Sequence, residues 1–292
     1  MRLRTLPLSL SGVVLGTFLA AADYHIKPLA VVFLFLTAVF LQILSNLSNE
    51  LGDTLHGTDT DARQGLRYSL QDGNMTVSQM KVLIGVFVAL SCISGLLMIR
   101  FAFGTLLILT SFAFIALGAA AVWAAMHYTL GKNPYGYRGL GDLYVLLFFG
   151  FATVLGGYFI CAGEIPTAAL LLPAASVGCF SVGVLNVNNI RDMKTDAATR
   201  TTTAIRLGEK RARIYQTVLL SLGWCFMILF CQLRIQSPWH YLFVLSLPLF
   251  VLHLRGVWTR KDRELDPMLP LLVMGTFLFS LLAGLGFVAY LF

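Results

Sequence analysis

The chain has 292 residues, of which 58% are hydrophobic and 12% charged, and its formal net charge is +7. So little charge, together with so many long apolar runs, excludes a single water-soluble domain and indicates a polytopic helical membrane protein. The basic residues are scattered among polar loops and form no groove-sized cluster with aromatic residues, which argues against a nucleic-acid partner.

Nine apolar runs are long enough to cross a lipid bilayer, since a spanning helix needs about 20 mainly apolar residues. They cover residues 8–24, 28–49, 78–99, 103–127, 142–162, 166–187, 212–233, 239–257 and 268–291. We therefore expect an all-α bundle of nine transmembrane helices that forms one domain over residues 1–292.

The loops between nine spans alternate between two sides, and 18 of the 21 lysines and arginines fall on the side of the N-terminus. Only Lys27, Arg100 and Arg234 fall on the other side. Because positive loops stay in the cytoplasm, this bias predicts a cytoplasmic N-terminus and an external C-terminus. The first run also resembles a cleavable signal peptide, but retaining it preserves the charge bias.

The second span ends in a polar stretch that bears two amides and two carboxylates on one helical face. Asn46, Asn49, Glu50 and Asp53 lie at i, i+3, i+4 and i+7. A solvated helix end is the ordinary explanation of one such cluster. The loop that follows, residues 58–77, carries Arg63 and Arg67 and is long enough for a lid or a binding loop. The alternative is an ordinary solvated loop.

Two further polar stretches fall on the same predicted side. Tyr137, Arg138 and Asp142 belong to a Gly- and Tyr-rich segment before span five, where an interfacial aromatic belt and a helix-start aspartate are the simpler explanations. After span six, Asn188, Asp192 and Asp196 recur at i, i+4 and i+8. Lys194 and Arg200 lie beside them.

Taken together, the two acidic stretches predict a cation site at the cytoplasmic side of the bundle. Carboxylates brought close together repel each other unless a cation lies between them. A purely oxygen ligand set favours Mg²⁺ over zinc. Magnesium beside arginine and lysine suits a diphosphate, and at a membrane surface this indicates a polyprenyl diphosphate. Ionising such a donor gives an allylic cation, which needs a dry, aromatic pocket.

Asn46-Leu47-Ser48-Asn49-Glu50-Leu51-Gly52-Asp53 and Asn188-Asn189-Ile190-Arg191-Asp192 with Asp196 resemble the two aspartate-rich motifs of the UbiA superfamily of intramembrane prenyltransferases. The segments 4–7, 131–142 and 202–208 are most similar to the branch that prenylates 1,4-dihydroxy-2-naphthoate in menaquinone synthesis. The resemblance implies a nine-helix bundle with a lateral opening to lipid. It also implies magnesium-dependent transfer of a polyprenyl group onto the naphthoate ring, with loss of the ring carboxylate and of diphosphate. The short chain and the charge bias of its loops fit a bacterial inner membrane.

The resemblance also implies roles for individual residues. The metal would be held by Asn49, Glu50, Asp53, Asp192 and Asp196, of which the four acids are the catalytic candidates. Substrate would be bound by Asn46, Asn49, Arg63, Arg67, Tyr137, Arg138, Asp142, Asn188, Lys194 and Arg200. A base that deprotonates the acceptor would be Asp192 or a group near Tyr135.

The chain departs from the family pattern at two places. Glu50 stands where the family usually has Asp, and Thr199-Arg200 stands where it usually has Gly-Lys. Arg can take the phosphate-binding role of Lys.

Two other classes of function fit part of the pattern. A related transferase could use another acceptor, such as 4-hydroxybenzoate. An ion-coupled transporter or a quinone- or lipid-binding protein would also contain membrane carboxylates, but a transporter is expected to place them near the bilayer midplane.

Overall fold

A computed structural model of the protein describes residues 3–57, 69–70, 72–234 and 237–289. Across these residues the chain folds into nine long apolar helices, which confirms the predicted number of spans. They are α1 (Leu6–Asp23), α2 (Pro28–Leu55), α3 (Val77–Phe103), α4 (Leu109–His127), α5 (Gly141–Ala162), α6 (Ala168–Arg191), α7 (Glu209–Gln232), α8 (Pro238–Thr259) and α9 (Asp262–Ala289).

Several of these helices are composite. The middle of α5, Leu146–Ala152, is π-helical, and α8 begins with a 3₁₀ segment, Pro238–Ser246. Likewise, α9 begins with a 3₁₀ turn, Asp262–Leu265, before its long α-helical part, Met268–Ala289. A short helical turn at Leu3–Thr5 precedes α1. Further short turns lie between the long helices, at Tyr135–Tyr137, Met193–Asp196 and Thr203–Leu207.

The helix boundaries correct several predicted ones. The second helix continues to Leu55 rather than ending at 49, and the sixth continues to Arg191 rather than 187. Polar residues at a membrane surface can extend a helix because water satisfies its terminal carbonyls. The fourth helix begins at Leu109 rather than 103, because Gly104, with φ of 75°, ends α3 in a left-handed cap.

The i, i+4, i+8 spacing of the second acidic motif predicts one continuous helical face. The structure shows that this prediction is wrong. Asp192 follows the last residue of α6 with a non-helical ψ of 7°, and a separate turn, Met193–Asp196, comes next. The chain therefore changes direction at Asp192, and Asp196 can lie apart from the axis of α6.

The bundle is held together by two main packing regions. In the C-terminal half, aromatic rings from α6, α7, α8 and α9 form a buried cluster of Phe180, Trp224, Phe243, Phe250 and Phe279. In the N-terminal half, α2 packs along α3, with Leu44, Leu47 and Met80 buried between them. A large cavity lies between these two halves.

Candidate active site

A cavity of about 340 Å³ is lined mainly by residues of α1, α2, α4, α5 and α6. Most of its wall is apolar, with Leu34, Leu117 and Phe148 among the lining side chains. Polar groups gather at the end formed by the two sequence motifs. These are Asn46, Asn49, Asp53, Asn188, Asn189 and Arg200.

Arg200 joins the two acidic motifs across this polar end. Its Nη2 lies 2.7 Å from Oδ2 of Asp196, and its Nη1 lies 3.7 Å from Oδ1 of Asp53. The side chains are almost fully buried, with 7% of Arg200 exposed, and 2–3% of the two aspartates. Burial alone would lower the pKa of the Arg200 guanidinium, but Asp196 and Asp53 raise it above its ordinary value. The guanidinium therefore stays charged and offsets part of the negative charge of the two carboxylates.

Tyr137 completes this cluster from the loop between α4 and α5. Its hydroxyl donates to Oδ1 of Asp53 at 2.9 Å, and its ring lies 5.6 Å from the Arg200 guanidinium carbon. The same residue accepts a backbone hydrogen bond from Thr201, at 2.9 Å. The loop before α5 and the loop after α6 are thus fixed against each other at the polar end of the cavity.

Gly52 allows this loop to reach α2. A Cβ at Gly52 would lie 2.7 Å from the main-chain carbonyl carbon of Thr129, closer than real side chains approach a backbone. Thr129 also donates to the carbonyl of Ser48 at 2.9 Å and to Oδ1 of Asn49 at 3.3 Å. The turn after α4 is therefore seated directly on the first motif.

Asp192 has a different environment from Asp53 and Asp196. Both of its oxygens accept hydrogen bonds from the buried Arg191, at 2.9 and 2.6 Å. Arg191 also donates to Asn188 and to Asp266 at the start of α9, and Asp266 accepts two further bonds from Arg4. This chain of alternating charges ties the second motif to α9 and to the segment before α1.

The remaining residues of the first motif fall into two groups. Asn46 lines the cavity and belongs to a hydrogen-bonded group with Thr5 and Gln42. Glu50 is 1% exposed and accepts a 3.0 Å bond from the backbone N–H of Leu70. Glu50 therefore binds the backbone of Leu70 and is not among the residues that line the cavity.

The structure does not bring every predicted site residue to the cavity. Lys194 is exposed and pairs with Asp262 at 2.7 Å, a hydrogen bond that raises the pKa of its ammonium group. Arg138 is exposed and offers its carbonyl to Arg206. Asp142 accepts a bond from the hydroxyl of Tyr215 at 3.0 Å, beside a separate cavity of about 10 Å³. Arg63 and Arg67 lie outside the described residues.

A magnesium ion requires several oxygen ligands close together. Within the described ranges, no three His, Cys, Asp or Glu side chains come close enough to hold a metal together. Asp53, Asp196 and Asn49 nevertheless offer the oxygen ligands that magnesium prefers. The Arg200 guanidinium already contacts both aspartates. The residues therefore fit magnesium chemically, provided that the guanidinium moves aside.

Aromatic rings form one wall of the cavity near the polar end. Tyr135 and Tyr144 stack with ring centroids 3.9 Å apart, and Tyr144 and Phe148 stack at 6.3 Å. The Tyr135 hydroxyl donates to the carbonyl of Ala124 at 2.7 Å. Burial raises its pKa above the ordinary value, so that it remains a neutral hydroxyl. The cavity thus has electron-rich faces next to a group of charged residues.

Reasoning from the sequence missed several residues of this site. Arg191 lies inside the second motif, and its position in the sequence predicts only one more basic residue of a loop. The structure shows that it pairs with both Asp192 and Asp266. Thr129 and Tyr128 line the cavity from the end of α4. Gly52 could have been singled out, because a glycine within a polar helical face often marks close backbone contact.

The sequence is similar to that of one family of known proteins. Residues 9–281 match the model of the UbiA prenyltransferase family. The 1,4-dihydroxy-2-naphthoate octaprenyltransferase of Escherichia coli (strain K12) is 39% identical over 98% of this chain and 92% of its own length. The protein of the same name from Mycobacterium tuberculosis is 34% identical over 92% of this chain and 88% of its own length.

Two solved structures share the fold. The apo structure of a UbiA homolog from Aeropyrum pernix K1 superposes with a TM-score of 0.73, covering 100% of both chains at 15% identity. A UbiA homolog from Archaeoglobus fulgidus, bound to GPP and Mg²⁺, superposes with a TM-score of 0.62, covering 98% of this chain and 99% of its own at 16% identity. With a family match over nearly the whole sequence, the chain belongs to the UbiA prenyltransferase family.

Proposed function

We propose that this protein transfers a polyprenyl group from a polyprenyl diphosphate to 1,4-dihydroxy-2-naphthoate, releasing diphosphate and CO₂ and giving demethylmenaquinol, the hydroquinone form of demethylmenaquinone. The observation that carries the proposal is the contact of Arg200 with Asp53 and Asp196, where an apolar cavity meets the charged ends of both motifs. The naphthoate acceptor is supported by the activity named for the relatives from E. coli and M. tuberculosis.

The polar end of the cavity would bind the diphosphate. Asn49, Asp53 and Asp196 would hold magnesium, and Arg200 would contact phosphate oxygens as a planar, doubly hydrogen-bonding donor. When bound, magnesium would neutralise the diphosphate and so make it a better leaving group. Glu50 and Asp192 would support these ligands indirectly, since the structure ties them to Leu70 and Arg191.

The apolar part of the cavity would take the prenyl chain and exclude water. As the C–O bond to the diphosphate breaks, its electron pair leaves with the diphosphate, and positive charge develops on the allylic carbon. The rings of Tyr128, Tyr144 and Phe148 line the cavity and would stabilise that charge through their faces. Water exclusion would prevent the allylic carbon from being captured as an alcohol.

The acceptor ring would supply the electron pair for the new C–C bond. Loss of CO₂ returns the electron pair of the ring–carboxylate bond to the ring, so that aromaticity is restored without removal of a ring proton. Residues of this chain therefore need only orient the acceptor and keep its hydroxyl groups hydrogen-bonded. Asn188 and Asn189 lie at the cavity end where this would happen.

The site would face the cytoplasm. The charge bias of the loops places the ends of α2 and α6 on the positive side, which is the cytoplasmic side of a bacterial inner membrane. Both substrates would then be taken up from the cytoplasm and the inner leaflet.

The proposal can be tested with purified protein in detergent or nanodiscs and a labelled polyprenyl diphosphate. We expect an apolar product with 1,4-dihydroxy-2-naphthoate and magnesium, one CO₂ released per product, and no product in EDTA. The parallel reaction with 4-hydroxybenzoate tests the other acceptor. Product with 4-hydroxybenzoate alone would refute the naphthoate assignment. In sealed proteoliposomes, label that crosses the membrane unchanged would indicate a transporter.

A further inference from the structure

The most unusual feature of the site is that a cation of the protein itself lies between the two acidic motifs. Arg200 contacts Asp53 from α2 and Asp196 from the turn after α6, with Nη to Oδ distances of 3.7 and 2.7 Å. Its backbone N–H also donates to the carbonyl of Asp196 at 2.9 Å, which keeps the side chain beside that aspartate.

The guanidinium is suited to this position. Its planar fork can contact two carboxylates at once, whereas a lysine ammonium is a single point of charge. The ring of Tyr137 lies 5.6 Å from its central carbon. A positive charge between two nearly buried carboxylates from different segments reduces their mutual repulsion.

We propose that Arg200 makes metal binding conditional on diphosphate. A free divalent cation must compete with Arg200 for Asp53 and Asp196, and the displaced guanidinium would be left nearly buried without a counter-ion. A metal that arrives with diphosphate supplies phosphate oxygens to which Arg200 can transfer. The site would therefore favour the metal–diphosphate complex over either ion alone. This inference rests on the proposed magnesium–diphosphate site.

The inference predicts opposite effects of one substitution on two ligands. In Arg200→Gln, the competing cation is gone, so that metal alone should bind more tightly. Diphosphate should bind more weakly, because its guanidinium contact is lost. A residue that only maintains the fold would weaken both, and a residue that only binds phosphate would leave metal binding unchanged.

The experiment measures Mn²⁺ binding by electron paramagnetic resonance, with purified full-length protein and no prenyl donor or acceptor. Titrations are run with and without inorganic diphosphate at constant ionic strength, with free Mn²⁺ corrected for Mn²⁺–diphosphate formation. For the wild type we expect diphosphate to strengthen Mn²⁺ binding. For Arg200→Gln we expect Mn²⁺ alone to bind about tenfold more tightly, in keeping with the coupling of close charge pairs, and a smaller enhancement by diphosphate.

Two further variants complete the design. Arg200→Lys keeps the charge but cannot span both carboxylates, so its affinity for Mn²⁺ alone should lie between those of the wild type and Arg200→Gln. Arg211→Gln removes one positive charge from the exposed start of α7 and should behave as the wild type.

Either of two results would overturn the proposal. One is Mn²⁺ affinity without diphosphate that is unchanged or lower in folded Arg200→Gln. The other is a wild type that binds Mn²⁺ equally well with and without diphosphate. If Arg200→Gln does not fold, unchanged Mn²⁺ affinity in Arg200→Lys decides against it. Because no acceptor is present, failure of the naphthoate assay leaves these results unaffected.

Discussion

The hydroxyl of Tyr137, in the Gly- and Tyr-rich loop, bonds directly to an acid of the first motif. It holds Asp53 at 2.9 Å, while its ring contacts Arg200 and packs edge-on against His56. Removing the hydroxyl leaves the ring contacts in place, so that the two roles of the side chain can be separated.

In Tyr137→Phe we expect the KM for the prenyl diphosphate to rise about tenfold, because a hydrogen bond to a charged group contributes about 1.5–3 kcal/mol. Initial rates at varied donor concentration provide the measurement. Tyr137→Leu, which also removes the ring beside Arg200, should be more severely impaired. Wild-type kinetics in Tyr137→Phe would contradict a role for this hydroxyl in orienting Asp53.

Gly52 determines how closely the turn after α4 approaches α2. Gly52→Ala would force Thr129 away from the helix, because the added methyl group would meet its backbone. We expect a loss of stability of about 1–3 kcal/mol, as for other overpacked contacts, together with lower transfer activity. Thermal unfolding in detergent measures the first effect.

Gly85→Ala is the matched control, since a Cβ at this glycine of α3 would meet nothing within 4 Å. An alanine there should be neutral or slightly stabilising. Equal unfolding temperatures for Gly52→Ala and the wild type would show that the loop can relax without cost.

A series of hydrogen-bonded, buried polar side chains links the helices of the C-terminal half of the bundle. Asn186 on α6 donates to Oε1 of Gln216 on α7 at 2.8 Å. The side-chain nitrogen of Gln216 lies 2.9 Å from Nε2 of His253 on α8, and Nδ1 of His253 lies 2.8 Å from the carbonyl of Met268 on α9. The carbonyl can only accept, so Nδ1 carries the proton, and Nε2 accepts from Gln216.

This series links four helices just below the second motif, and its middle member can be removed. Gln216→Leu removes one hydrogen bond from Asn186 and one from His253, while their bonds to the carbonyls of Ala212 and Met268 remain. One buried N–H of Asn186 and Nε2 of His253 then lack a partner, so we expect a loss of about 1–3 kcal/mol per unsatisfied group. Thermal unfolding measures it, with Lys210→Met at an exposed position of α7 as the control. A variant as stable as the wild type would mean that Asn186 and His253 find other partners.

The helices themselves were predictable, because runs of apolar residues reveal membrane spans by length alone. The convergence of the acidic motifs was also predictable in outline, since both follow even-numbered spans. The partners were not. Nothing in the spacing of Asn188, Asp192 and Asp196 reveals that the helix ends at Arg191, or that Arg191 binds both oxygens of Asp192. Such pairings depend on how loops fold back over the bundle.

Lys194 is another residue whose partner could not be predicted from the sequence. It lies two residues from Asp192, and its position in the sequence predicts a phosphate contact. In the structure its side chain points away and pairs with Asp262, while Arg200 reaches the carboxylates. A turn of four residues, Met193–Asp196, is enough to place neighbouring side chains on opposite sides.

At the scale of the whole molecule, the charge distribution makes a prediction about orientation. On the side with few basic residues, two of those residues have hydrogen-bond partners within the protein. Arg234 forms an ion pair with Asp23, which also accepts a 3.0 Å bond from Tyr158, and Lys27 donates to the carbonyl of Ala102. The opposite side retains most of the positive charge, and it carries the polar end of the cavity.

We therefore expect single cysteines at the two ends of the bundle to be labelled from opposite compartments. Lys261→Cys lies in the loop before α9, on the side of the acidic motifs, and Glu164→Cys lies in the exposed loop between α5 and α6. Both are made after replacing the exposed Cys92 and Cys225 by alanine. A membrane-impermeant maleimide should label Glu164→Cys in spheroplasts, and Lys261→Cys only in inverted vesicles. The reverse pattern would place the active site outside the cytoplasm, because the positive-inside rule and the polar end of the cavity concern the same loops.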